Sequence, residues 1–151
     1  MPNHPDLLLL LHDLARHLRL DADRRASAYG LTRAQWFILS RLEARPGLSQ
    51  KELAEIIDVE PITVGRLIDR LEASGMVERR ADPDDRRIWR LHLLPSALPV
   101  LRELHAERED MLGMVGEGLD PAMLDTVKNG LARMKANVVA DLRAKSLERD
   151  V

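Results

Sequence analysis

LSQKELAEIIDVEPITVGRLIDRLEASGMVERRADPDDRRIWRLHLL, Leu48–Leu94, carries the densest pattern in the chain. Ser49-Gln50-Lys51-Glu52 has the form S-x-x-E. The Ser49 hydroxyl can accept from the Glu52 amide while the Glu52 carboxylate accepts from the Ser49 amide, so a helix begins here. Leu53, Ile56 and Ile57 give it an apolar side, and Asp58-Val59-Glu60-Pro61 interrupts it. Pro61 suits the first turn of a second helix, where its missing N–H costs nothing. That second helix repeats apolar residues at Val64, Leu67, Ile68 and Leu71, one face of a 3.6-residue period. Its other side shows Thr63, Gly65, Arg66, Asp69 and Arg70. Gly75 fits the left-handed position that follows a helix end.

Two strand-like runs follow, Met76–Arg80 and Ile88–Leu93. In the second, Trp89, Leu91 and Leu93 alternate with Arg90 and His92, the period of a strand. Asp82-Pro83-Asp84-Asp85 between them predicts a turn. The order helix, turn, helix, hairpin is that of a winged helix-turn-helix, which places one helix in a DNA groove. Arg66 and Arg70 suit such a surface because a guanidinium fork matches phosphate or the O6/N7 edge of guanine. Gly65 permits a close backbone approach at roughly 1 kcal/mol of helix propensity. Arg86 and Arg87 at the hairpin tip are placed to reach a minor groove. Taken alone, a polar helix front is also what an ordinary solvated face looks like. Between Glu60 and Arg90 seven basic residues are matched by seven acidic ones. A DNA reading therefore rests on placement and not on bulk charge.

Leu67–Arg80 followed by Asp82–Arg87 resembles the MarR family of bacterial transcription regulators, and Leu48–Ala54 is similar to that family's third helix. The resemblance is dense over Leu31 to Leu94. The chain departs from the family pattern in two places. Leu93-Leu94-Pro95 stands where a Leu-Thr pair is usual, and Thr63-Val64-Gly65-Arg66 stands where Thr-Val-Thr-Arg is frequent. The second departure bears on which DNA sequence is preferred. The resemblance implies a mainly α fold with a small β-hairpin wing. A winged DNA-binding domain would span residues 31–94, with a helical dimerisation region from residues 6–29 and 96–146. It implies a homodimeric regulator, in the sense of a repressor, acting on an inverted-repeat operator in double-stranded DNA. Thr63, Gly65, Arg66, Arg70, Arg86 and Arg87 would then contact DNA, with Asp85 orienting Arg87. It also implies a small aromatic or phenolic acid, or an acyl-thioester, as ligand, with Arg16, Thr32 and Trp36 as candidates. Trp36 is equally at home as plain core.

Composition sets outer limits. The chain has 151 residues, 45% apolar and only 3% aromatic, which favours helices packed through Leu, Ile, Val, Ala and Met. Its formal charge of −2 is unlike a nonspecific nucleic-acid coat. There are no cysteines, which excludes disulfides, thiolate metal sites and a thiol-oxidation switch. Leu7–Leu11 is a run of five leucines without the basic flank or cleavage site of a signal peptide. No run approaches the ~18 apolar residues of a membrane span. A cytoplasmic protein is expected.

Outside the winged segment, a long first helix is expected from Asp6 to about Tyr29, ended by Gly30. Leu7, Leu11, Leu14 and Leu18 form its stripe, widened by Leu8 and Leu10. Thr32–Gln35 is a second capping box, opening a helix through Trp36 and Leu42 that Pro46-Gly47 stops. Pro95-Ser96 begins another helix, in which Pro99 is tolerable only in the first turn. Asp120-Pro121 caps the last helix. There Leu124, Val127, Leu131, Met134 and Val138 recur at spacings of 3, 4, 3 and 4, a seam for helix-on-helix packing and a candidate dimer interface. Fraying is expected at Met1–Pro5 and Ser146–Val151.

His12 and His17 are five apart and do not share a helix face, and no metal or cofactor is expected. Asp82-Pro-Asp-Asp lacks the glycine and glutamate of a calcium loop. Neither a nucleophile elbow nor a phosphate-cradling glycine run is present, so no enzyme is expected. A protein–protein adaptor on the same winged scaffold is the rival to DNA binding. It differs in lacking a steep salt dependence of duplex binding.

Overall fold

A computed structural model describes residues 6–149, so the expected fraying of Met1–Pro5 lies outside the described residues. The elements run α1 (Leu7–Ser27), α2 (Arg33–Ala44), α3 (Gln50–Ile57), α4 (Pro61–Ala73), β1 (Val77–Ala81), β2 (Trp89–Leu93), α5 (Ala97–Val115) and α6 (Pro121–Arg149). The backbone contacts divide into two units, Met1–Arg108 and Glu109–Val151. The first helix shares a unit with the winged segment.

Local chemistry starts and stops the elements as the sequence predicts. Both capping boxes form. Thr32 Oγ1 accepts from the Gln35 amide at 3.2 Å, and Gln35 Oε1 accepts from the Thr32 amide at 2.9 Å. Ser49 Oγ accepts from the Glu52 amide at 3.1 Å, and Glu52 Oε2 accepts from the Ser49 amide at 2.8 Å. This bond, with Arg90 nearby, holds the Glu52 carboxyl below its usual range. Pro61 is at the start of α4, and Gly75, at φ +75°, follows its end. Pro99 falls in the first turn of α5, and Asp120 Oδ1 caps α6 by accepting from the Met123 amide at 2.8 Å. The last helix continues through Arg149, past the fray expected at Ser146.

The core of the first unit is aliphatic. Ile38, Leu39 and Leu42 of α2, Leu53 of α3, Val64, Ile68 and Leu71 of α4, Val77 of β1 and Leu91 of β2 are all fully buried. Leu101 and Leu104 of α5 join this set of buried side chains. β1 and β2 pair antiparallel in the register Val77↔Leu93, Arg79↔Leu91 and Ala81↔Trp89. Trp89 shares a face with Leu91, as its alternation predicts. It lies beyond the edge of the core, however, and is 49% exposed. Phe37 is likewise outside the core although its helix is not.

Only the C-terminal half of α1 is covered: Ala22 and Ala26 are buried, while Leu7, Leu8, Leu9, Leu10 and Leu14 are exposed. An ion-pair cluster fastens the covered half to α5. Arg25 donates to Asp21 Oδ2 at 2.7 Å and to Glu107 Oε2 at 2.8 Å, and the Tyr29 hydroxyl donates to Glu107 Oε1 at 3.0 Å. Hydrogen bonds from Arg25 hold the carboxyls of Asp21 and Glu107 below their usual range, and they hold the guanidinium protonated. In the second unit α6 is 29 residues long and buries none of them. Val127, Leu131, Met134 and Val138 of the expected seam are all exposed.

Carboxyls held low in the folded state stabilise it at any pH above their unfolded values, and that contribution is lost as pH falls through the folded values. Arg25→Met is expected to lower stability near neutral pH by about 1–3 kcal/mol. It should also flatten the loss below the ordinary carboxylate range. Thermal unfolding followed by circular dichroism across that range, at fixed protein concentration, checks both effects.

Candidate nucleic-acid interface

The buried stripe of Val64, Ile68 and Leu71 fixes the roll of α4, so the opposite side faces solvent. Ile62, Thr63, Arg66, Asp69 and Arg70 are exposed there. Gly65 is half-buried and lies toward α3. A Cβ at this position would stand 3.0 Å from Gln50 Nε2, and its carbonyl accepts from Arg79 Nη2 at 3.2 Å. The close approach that Gly65 permits is thus made by α3 and β1 of the chain itself.

Arg79 was not among the residues singled out from the sequence, yet it organises this surface. Its guanidinium donates to Asp69 Oδ1 at 2.7 Å and Glu72 Oε1 at 3.0 Å, and reaches Gln50 Oε1 at 3.5 Å. Its amide donates to Glu72 Oε2 at 3.2 Å. One side chain on β1 thereby joins both helices of the helix-turn-helix. Its sequence signal was only the position: Arg79 is on the inward-facing side of a strand, opposite Leu91.

Arg90 ties the other strand to α3 and to the loop before it. It donates to Asp82 Oδ2 at 2.8 Å, Glu52 Oε2 at 3.3 Å and the Gly47 carbonyl at 3.4 Å. Asp82 also accepts from the amides of Asp84 and Asp85, at 2.8 and 3.0 Å, which closes the turn at the wing tip. Arg90, together with these two amides, holds the Asp82 carboxyl low. Asp85 accepts three hydrogen bonds from Arg87: from its amide at 3.0 Å, from Nε at 3.1 Å and from Nη2 at 3.1 Å. The Arg87 side chain remains 90% exposed all the same.

These pairings resolve the charge balance of the segment. Asp69 and Glu72 are taken by Arg79, Glu78 by Arg80, Asp82 by Arg90 and Asp85 by Arg87. Among the described residues, Arg66, Arg70 and Arg86 have no carboxylate within 4.0 Å. Glu60 at the start of α4 and Asp84 at the wing tip likewise have no cation within 4.0 Å among the described residues, so three free arginines on the outer side of α4 and at the wing tip stand against two free acids.

The ligand candidates are arranged differently. Trp36 is buried in the core, and Thr32 Oγ1 is engaged as a helix cap. Arg16 is exposed, with His17 Nε2 at 3.5 Å as its nearest polar contact. Of the three, only Arg16 offers its charged group outward. His105 pairs with Glu43 at 2.9 Å, tying α5 to α2. No helix among the described residues is long and apolar enough to cross a membrane.

Residues 31–89 match the MarR family. The structure is similar to that of the transcriptional regulator PA3341, with 33% identity, a TM-score of 0.80, and coverage of 89% of this chain and 99% of that one. It is similar to the transcriptional regulator SlyA at 28% identity and a TM-score of 0.81, covering 91% and 96% of the two chains. The same fold occurs in S. aureus MepR, whose structure is of a MepR–DNA complex. That protein is 20% identical, with a TM-score of 0.79 and coverage of 89% and 99%.

Removal of the Arg79 guanidinium leaves Asp69 and Glu72 as uncompensated acids beside Arg66 and Arg70. Arg79→Ala is expected to cost about 1–3 kcal/mol, and Arg79→Lys to recover only part because an ammonium lacks the planar fork. Thermal unfolding of the two variants checks the ranking, and equal melting temperatures would contradict it.

Proposed function

The chain belongs to the MarR family of transcription regulators, and on that premise we propose that it binds an inverted-repeat operator in double-stranded DNA as a homodimer and represses transcription. Two copies of α4 enter successive major grooves about 34 Å apart on one face of the duplex. Thr63, Arg66 and Arg70 meet bases and phosphates, Gly65 sets the approach of α4 to α3 behind them, and the wing brings Arg86 and Arg87 to the backbone or minor groove. Asp85 holds Arg87 in its orientation. The observation that carries this reading is the set Arg66, Arg70 and Arg86, which have no carboxylate within 4.0 Å among the described residues, with Arg87 still 90% exposed in its pair with Asp85. A DNA complex is known for MepR, which shares the fold.

The homodimer reading rests on apolar surface. Leu8 of α1 is 71% exposed and Val138 of α6 is 58% exposed, each within a run of exposed aliphatic residues. Single chains rarely leave stripes of this kind in water, whereas a second copy covers them. Residues 6–29 and 96–146 supply this dimerisation surface, although the covered half of α1 also serves the winged unit. A small aromatic or phenolic acid, or an acyl-thioester, is the proposed ligand class. Arg16 is its carboxylate partner, with Thr32 and Trp36 joining only in a rearranged state. Control by such a ligand requires different affinities for two spacings of the paired α4 helices.

Arg66→Ala is expected to lose about 1–3 kcal/mol of affinity together with sequence discrimination. Arg87→Ala should instead weaken binding evenly across sequences and reduce the salt slope by about one. Titrations of selected and unrelated duplexes at two salt concentrations check both, and wild-type affinity in both variants would overturn the assignment. A Leu131→Glu, Val138→Glu double variant is expected to sediment as a monomer and to lose operator binding.

A further inference from the structure

Ile62 is 69% exposed, the most exposed large apolar side chain between Leu31 and Leu94 among the described residues. At about 100° per residue it lies about 180° from Leu71 and about 200° from Val64, both fully buried, and only about 40° from Arg66. It therefore occupies the centre of the outer face of α4, not the margin of the core. Folding gives no reason for it. A β-branched residue is slightly worse than alanine in a helix, and the described residues cover no more than a third of this one. It makes no cap either, because its side chain has no atom that donates or accepts a hydrogen bond.

The neighbourhood decides what can cover it. Arg66, one turn on, has no carboxylate within 4.0 Å, and Thr63 is exposed beside it. An apolar group flanked by an uncompensated cation is poorly suited to an apolar protein surface. It fits a groove whose walls are phosphate and whose floor carries methyl groups. In the major groove the one such group on a base edge is the C5-methyl of thymine. The first turn of a recognition helix is also the part that contacts base edges.

We infer that Ile62 is a specificity-determining residue that packs on a thymine methyl in each half-site. This rests on the operator reading above and adds to it a base identity. Arg66 positions the helix and reads a polar edge, while Ile62 rejects a base pair that lacks the methyl at its register.

Selection from a random duplex pool by the wild-type protein and by Ile62→Ala tests this, followed by replacement of each selected thymine in turn with deoxyuridine, which removes only the methyl. Circular dichroism checks that the variant is folded, as expected for a change at an exposed position. The expected result is one thymine per half-site whose replacement lowers wild-type affinity about fourfold, the worth of one buried methyl-sized group. The Ile62→Ala protein should show no preference at that position and no deoxyuridine penalty, with the rest of the motif retained. A wild-type motif without a fixed thymine, wild-type binding indifferent to deoxyuridine, or an equal penalty in Ile62→Ala would each overturn the inference while leaving the operator reading intact. If the wild-type protein selects no motif at all, the operator reading fails and this inference fails with it.

Discussion

The guanidinium of Arg79 is the joint between the hairpin and the two helices of the helix-turn-helix. It reaches Asp69 and Glu72 on α4, the Gly65 carbonyl and the side chain of Gln50 on α3 from a single position on β1. A hairpin of two five-residue strands has little stability by itself. Arg79 on one strand and Arg90 on the other give this hairpin charge-assisted bonds to the helices, alongside the burial of Val77 and Leu91. The same bonds remove two carboxylates from the vicinity of Arg66 and Arg70. Shape and electrostatics are therefore set by one residue, and neither is available without the other.

This explains how a chain of net charge −2 presents a cationic face. The seven arginines between Glu60 and Arg90 fall into two groups by partner among the described residues. Arg79, Arg80 and Arg90 hold acids and serve the architecture, whereas Arg66, Arg70 and Arg86 hold none. Arg87 belongs to both, bound to Asp85 yet almost wholly in solvent. A local excess of positive charge needs no excess of basic residues when one guanidinium, that of Arg79, holds two carboxylates at short range. The outer face of α4 adds an apolar centre, Ile62, so its chemistry is mixed in the manner of a major groove.

The helices outside the winged segment obey a different constraint. The covered half of α1 is held by Ala22, Ala26 and the Arg25 cluster. Leu7, Leu8, Leu9, Leu10 and Leu14 of its leucine-rich half are exposed, and no described residue of α6 is buried. Exposed apolar stripes of this kind mark an interaction surface.

Element positions were legible in the sequence because their causes are local. Two capping boxes, a proline in the first turn of α4, a left-handed glycine after it and the alternation of β2 act over three or four residues, and each appears where its motif stands. The seam of α6 and the pairing of Asp85 with Arg87 are also short-range features. What only tertiary structure decided is which charges survive and which apolar residues are covered. Arg79 and Arg66 look alike in sequence, and a contact to Asp69 from another element separates their roles. Gly65 sits on the polar side of α4 in sequence, yet the approach of Gln50 turns it inward. Trp36 and Trp89 are equally apolar; one is core and the other lies past its edge, since burial depends on where the neighbouring elements end. Periodicity assigns a residue to a face, but the partner of that face is chosen by residues far away in the chain.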